Sequence, residues 1–347
     1  MFHRILVPLD GSARAERALP VAARLARAMN GTLVLVRVAQ PPLQPPSFLA
    51  PPLEVEANML SKELEQAATY LAQVMKQVEI VGVGFETVSL VGYPAEMILE
   101  AAQTHRADSI ILTSHGRTGL LRWVLGSVAQ RVIYQATVPV LVLHQQGPLP
   151  LPESGGALRA LVPLDGSGLA EAMIGPAATL VSALASQGKG IIHLARVTPA
   201  SPREAEASTP TPREVGTREA ALREAEAYLS RAAENLREGP LAHLHVTWSA
   251  LANKDVAGAL VDLAQQGITA QGSEHMGRFD LMAMSTHGRG GLRRLVMGSV
   301  TERVLSGSKL PLLVMRPKEV AANQFNVNQT GEETIPMYIT EKGPNHV

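Results

Sequence analysis

The chain contains no cysteine, which removes disulfides, thiolate chemistry and cysteine-based metal sites together. Aromatic residues are scarce at 3%, so a chain that is 46% hydrophobic must build its core from aliphatic side chains. Neither sign of charge is in excess. Lys+Arg and Asp+Glu both number 31, which gives no electrostatic reason to expect nucleic acid or an anionic membrane as partner. No apolar run reaches the ~18 residues that a membrane span requires. Met1-Phe2-His3-Arg4-Ile5-Leu6-Val7 enters a strand pattern at once, without the layout of a signal peptide. A soluble, cytoplasmic protein is expected. The 347 residues leave room for about two domains of ordinary size.

What the sequence does contain is repetition. Leu112–Ser127 reads L-T-S-H-G-R-T-G-L-L-R-W-V-L-G-S, and Met284–Ser299 reads M-S-T-H-G-R-G-G-L-R-R-L-V-M-G-S. In the first copy an apolar strand, Ser109–Leu112, runs into a glycine-containing loop that ends at Gly126-Ser127, where a helical pattern begins. Strand, glycine loop and helix N-terminus form a phosphate-binding geometry. Glycines let backbone N–H groups approach an anion, and the first helical turn offers unpaired donors and the positive end of a dipole. A second string repeats as well. Arg4–Ser12 is R-I-L-V-P-L-D-G-S and Arg159–Ser167 is R-A-L-V-P-L-D-G-S, both apolar strands ending in Asp-Gly-Ser with Ser12 and Ser167 as N-caps.

Taken in order, each half alternates strands with amphipathic helices. Ala18, Leu19, Ala22, Leu25, Ala26 and Met29 make the apolar stripe of the first helix, which Asn30-Gly31 closes. The second strands are Thr32–Val38 and Ile191–Val197. Loops rich in proline, Pro41–Pro52 and Thr198–Pro212, then lead to long helices over Glu54–Val78 and Arg213–Glu238. Third strands (Gly84–Leu90; Leu244–Ser249) and further helices (Ala95–Thr104; Val256–Gln265) follow, and last strands are expected at Val138–Leu143 and Leu310–Met315. This is βαβ spacing, so the fold class is α/β, with two tandem open parallel sheets covered on both faces as three-layer domains. The expected boundaries are domain 1 over 1–145, a Pro/Gly-rich linker over 146–157, domain 2 over 158–317, and a flexible tail or arm over 318–347. In such sheets ligands sit beyond the carboxyl ends of the strands, where Asp10, Val38 and the Gly116 loop all fall.

These residues resemble the universal stress protein (UspA-like) family, and the chain looks like its tandem form. The resemblance rests on V-P-L-D-G-S and H-G-R-x-G-L-x(5)-G-S, which occur in the same order twice. ATP-binding members carry G-x2-G-x9-G-(S/T). Here Gly116 and Gly126-Ser127 match in one half, and Gly288 and Gly298-Ser299 in the other, while the first glycine is replaced by Thr113 and by Ser285. The second half also departs at Asn253-Lys254-Asp255-Val256, where the first has Gly92-Tyr93-Pro94-Ala95, and in an extra segment, Gln271–Arg278.

The resemblance implies Rossmann-like domains related by a pseudo-twofold that bind an adenine nucleotide: ATP, or AMP or ADP. A Mg2+ or Mn2+ ion would be carried by the phosphates. By the same resemblance Asp10 and Val38 would contact the adenosine end, with Pro8, Leu112 and Thr113 lining the pocket. Gly116, Arg117, Gly126, Ser127 and Val128 would surround the phosphates. In the second half the corresponding residues are Pro163, Asp165, Val197, Met284, Ser285, Gly288, Arg289, Gly298, Ser299 and Val300. The family also implies pairing of the two halves through their last strands, and a homodimer.

The individual residues have plainer readings beside these. Gly126-Ser127 alone is also a tight turn with a cap, and Asp before Gly-Ser is an ordinary strand-to-helix turn. His115 and His287 are read as loop-fixing hydrogen-bonders, and His243 and His245 as one partly exposed strand face lacking a third metal ligand. Arg293-Arg294 is too short a basic patch for nucleic acid, and Trp123 and Leu125 read as cover for the core. No Walker lysine, kinase set or paired-carboxylate site is present, so no catalytic residue is assigned. The reading is a stress-response regulatory protein that holds ATP without rapid turnover. Two other readings stay open: an interaction module that binds no nucleotide, and a slow ATPase or autophosphorylating protein.

Overall fold

The computed structural model describes residues 1–40, 53–77, 83–114, 125–144, 149, 157–185, 189–200, 212–269, 275–286, 297–316 and 338–342. They divide into two compact units, Met1–Gln145 with Ala321–Val347, and Gln146–Val320.

In the first unit β1 (Arg4–Leu9), β2 (Thr32–Ala39), β3 (Gly84–Val91), β4 (Ser109–Thr113) and β5 (Val140–Leu143) are joined by β13 (Tyr338–Lys342) in the order β13-β3-β2-β1-β4-β5. The first five pair in parallel, and β13 runs antiparallel on β3, Tyr338 opposite Leu90 and Lys342 opposite Glu86. Consecutive rather than alternating burial marks the strands: Ile5, Leu6 and Val7 are all fully buried, as are Leu33 to Val36. Such strands are covered on both faces. Helix α2 (Ala18–Ala28) packs on β1, β2 and β4, and α3 (Leu53–Gln77) on β2 and β3. The crossing from β3 back to β4 carries α4 (Pro94–Thr104), which packs against α5 (Ser127–Gln135). With right-handed crossovers this sets α2 and α3 on one face and α4 and α5 on the other.

The helix expected directly after Ser12 is interrupted. A four-residue turn of helix, α1 (Ala13–Glu16), ends at Arg17 before α2 begins. The last strand starts at Val140 instead of Val138 because Pro139 has no N–H for the ladder, although its carbonyl still accepts from Ile110 N–H at 2.9 Å.

The second unit repeats the plan with β6 (Leu158–Pro163), β7 (Gly190–Pro199), β8 (His245–Asn253), β11 (Leu281–Ser285) and β12 (Leu312–Met315) in the order β12-β11-β6-β7-β8. Its helices are α6 (Gly168–Glu171), α7 (Ile174–Leu184), α8 (Pro212–Arg237), α9 (Val256–Gln266) and α10 (Ser299–Gly307). Pro311 shortens β12 to Leu312 for the same reason as Pro139. Around the extra segment, β9 (Ile268–Thr269) pairs antiparallel with β10 (His275–Met276). β8 begins at His245, so His243 lies in the preceding turn, where its Nε2 shares a 2.8 Å hydrogen bond with Ser182 Oγ. Among the described residues no helix is long and apolar enough to cross a membrane.

Candidate functional site

In the first unit the chain leaves β1 towards β2 and β3, whereas β4 and β5 lie on the other side of β1. The switch point therefore falls between the carboxyl ends of β1 and β4, and in the second unit between those of β6 and β11.

At the end of β1 the backbone reverses through Gly11, whose φ of +81° disfavours any side chain; Gly166 repeats it at +85°. Asp10 Oδ1 accepts from Ser12 N–H at 2.9 Å and from Ser12 Oγ at 2.6 Å, an Asx turn. Ser12 Oγ in turn accepts from Ala15 N–H at 3.2 Å and so caps α1. Asp165, Ser167 and Ala170 repeat these bonds at 3.0, 2.6 and 3.2 Å.

Behind this turn stands a cluster that the repeated strings do not include. Arg37 Nη1 donates to Leu9 O at 3.4 Å, and the guanidinium lies 5.2 Å above the Tyr70 ring, a cation–π contact. Tyr70 donates to Glu16 Oε1 at 2.8 Å; burial and that carboxylate push the phenol well above its ordinary range. Arg196 lies over Tyr228 at the same 5.2 Å and adds an ion pair with Glu224 at 3.6 Å. The Tyr228 phenol is raised by burial first and by Glu171 second. The cluster had a signal. Arg-Val recurs as Arg37-Val38 and Arg196-Val197, Tyr-Leu as Tyr70-Leu71 and Tyr228-Leu229, and Ala-Glu as Ala15-Glu16 and Ala170-Glu171.

On the other side of the switch point β4 ends at Thr113. Ser114 N–H donates to Leu143 O at 2.9 Å, and Ser114 O accepts from Gly126 N–H at 2.8 Å, so both ends of the glycine loop are tied together. Gly126 is the N-cap of α5 and makes no side-chain bond to its first turn. Thr286 and Gly298 repeat the tie at 2.8 Å, and Gly298 caps α10 in the same way. Ser127 and Ser299 are exposed, and Val128 and Val300 half-buried. Val38, Pro8, Pro163 and Thr113 are half-buried at the carboxyl edge, whereas Val197, Leu112, Met284 and Ser285 are buried. Gly116, Arg117, Gly288 and Arg289 lie outside the described residues, as do His115, His287, Trp123 and Arg293-Arg294. Among the described residues no group of three or more His, Asp or Glu side chains is placed to hold a metal ion.

Parallel strands, a switch point and helices on both faces define each unit as a doubly wound α/β domain. Residues 1–144 and 277–316 match the model of the universal stress protein family. A universal stress protein of Methanocaldococcus jannaschii is 35% identical over 146 residues, which are 42% of this chain and 84% of that one. One from Mycobacterium tuberculosis is 26% identical over 320 residues, 90% of this chain and 97% of its own. The crystal structure of a universal stress protein from Archaeoglobus fulgidus aligns over 91% of this chain and 99% of that one, with a TM-score of 0.59 at 18% identity. The chain belongs to the universal stress protein family.

Proposed function

We propose that the chain is a regulatory protein of the stress response that holds an adenine nucleotide, ATP or its di- or monophosphate, without rapid turnover. One observation carries the reading. The Asp10 turn and the glycine-capped start of α5 leave adjacent strands on the two sides of the switch point, and the arrangement is duplicated around Asp165 and Gly298. The first N–H groups of α5 have no acceptor within the helix, and the glycine cap brings no side chain to them. They suit a phosphate, with the helix dipole adding its positive end. Gly116 and Arg117 would add donors, and Asp10, Val38 and Pro8 would take the adenosine end. A Mg2+ or Mn2+ ion would arrive on the phosphates, supplying charge neutralisation there. Slow turnover fits Asp10, whose Oδ1 is already committed to two bonds from Ser12.

The test is the nucleotide content of the protein purified from cells, released by denaturation and separated by ion exchange. Gly126→Asp and Gly298→Asp are measured alongside. Adenine nucleotide in the wild type that is reduced in a variant supports the reading. A wild type that is empty and also fails to take up added ATP contradicts it.

A further inference from the structure

The halves repeat one plan, yet they differ where an anion would approach. In the second unit Glu224 Oε1 lies 3.6 Å from the Arg196 guanidinium, while Asp165 and Glu171 act on the Tyr228 phenol, over whose ring that guanidinium lies. Four residues before the tyrosine, the first unit has Gln66 in place of Glu224, so its cluster carries one negative charge fewer.

A second difference lies at the carboxyl edge of the third strands. In the first unit Gly92 N–H donates to Ala39 O at 3.0 Å, next to Val38. The following residue, Tyr93, caps α4 with no side-chain bond and is 72% exposed. In the second unit Asp255 stands there. Its carboxylate accepts from Gly258 N–H at 3.0 Å and pairs with Arg303 of α10 at 2.8 Å, as Glu96 pairs with Arg131 of α5 in the first unit, so the two halves differ here in the cap and its ring and not in charge.

A third difference is below the glycine-capped helices. Thr301 Oγ1 donates to Ser285 O at 2.9 Å, tying the first turn of α10 down to β11, where the first unit has Ala129. The family match likewise runs unbroken through residues 1–144 but resumes only at 277 in the second half.

We propose that the halves are not equivalent: the first unit holds the nucleotide with Tyr93 over its base, and the second is closed to it by Glu224. The inference rests on the nucleotide reading above. A triphosphate brings several negative charges, and each carboxylate near its path raises the cost of entry. An exposed aromatic ring beside the end of β2 gives a purine a face to stack on.

The test is equilibrium dialysis of the full chain, stripped of nucleotide, against labelled ATP. About one ATP per chain is expected, lost in Gly126→Asp and kept in Gly298→Asp. Tyr93→Ala should weaken binding about tenfold. Glu224→Gln should admit a second ATP, a gain that misfolding cannot imitate. About two ATP per chain, or loss confined to Gly298→Asp, overturns the proposal while leaving the nucleotide reading intact. An unchanged affinity in Tyr93→Ala, or no second ATP in Glu224→Gln, overturns the part assigned to that residue. Absence of binding in the wild type overturns the nucleotide reading itself.

Discussion

Ser12 and Ser167 each serve two neighbours at once, donating to the preceding aspartate and accepting from the first turn of a helix. This could be read in advance because Asp-Gly-Ser encodes it locally: a short acceptor, a left-handed glycine and a capping hydroxyl. The Arg37–Tyr70 contact joins residues from a strand and a distant helix, so no local pattern reports it; only a comparison of the two halves does. His193 is a further residue whose environment is set by distant partners. It is fully buried on β7 between Thr247 Oγ1 and Ser249 Oγ, each at 2.8 Å, and burial lowers its pKa from 6.5 to about 4. The unfolded chain takes up a proton as pH falls through about 6.5, and the folded chain does so only near 4. Stability from this residue is therefore complete above that window and declines on acidification through it, by about 3 kcal/mol in all. Urea unfolding across that range should show a steeper acid loss in wild type than in His193→Gln. Equal losses in the two would contradict the assignment.

At the level of elements, the parallel strands were legible because their apolar runs are short, consecutive and bounded by turn residues. Their ends moved by a residue or two where proline intervenes, as at Pro139 and Pro311. β13 was not legible. It is a five-residue strand in a stretch rich in Asn, Gln, Thr and Glu, and main-chain pairing with β3 makes it a strand without any periodic apolar pattern. It covers one edge of the first unit's sheet, and an uncovered edge is a template for association. Deleting residues 338–347 should speed hydrogen exchange at the β3 amides that face β13 and leave β8 as it was. Unaltered exchange in β3 would show that the pairing contributes no protection.

At the level of the whole molecule, duplication was the most readable feature, since two strings in one order demand two similar units. Contact within the chain adds what order alone could not supply: Tyr338–Lys342 belongs with the first unit. The glycine loops were legible as phosphate-binding candidates through the motif, and the described structure contributes the tied loop ends and the glycine-capped helix that follows each loop. What the motif could not convey is the difference between the halves, which arises from Tyr93, Glu224 and Thr301, none of which belongs to it.

The central proposal is that an adenine nucleotide binds at a glycine-capped helix start. Its most direct test is calorimetric titration of ATP into the nucleotide-free chain, beside the Gly126→Asp/Gly298→Asp double variant. Gly126 and Gly298 have φ of −62° and −60°, open to any residue, and aspartate is itself a preferred N-cap, so both helices should persist. Saturable heat in wild type and none in a double variant of unchanged melting temperature is the predicted result. Equal binding in both, or none in either, would contradict the account.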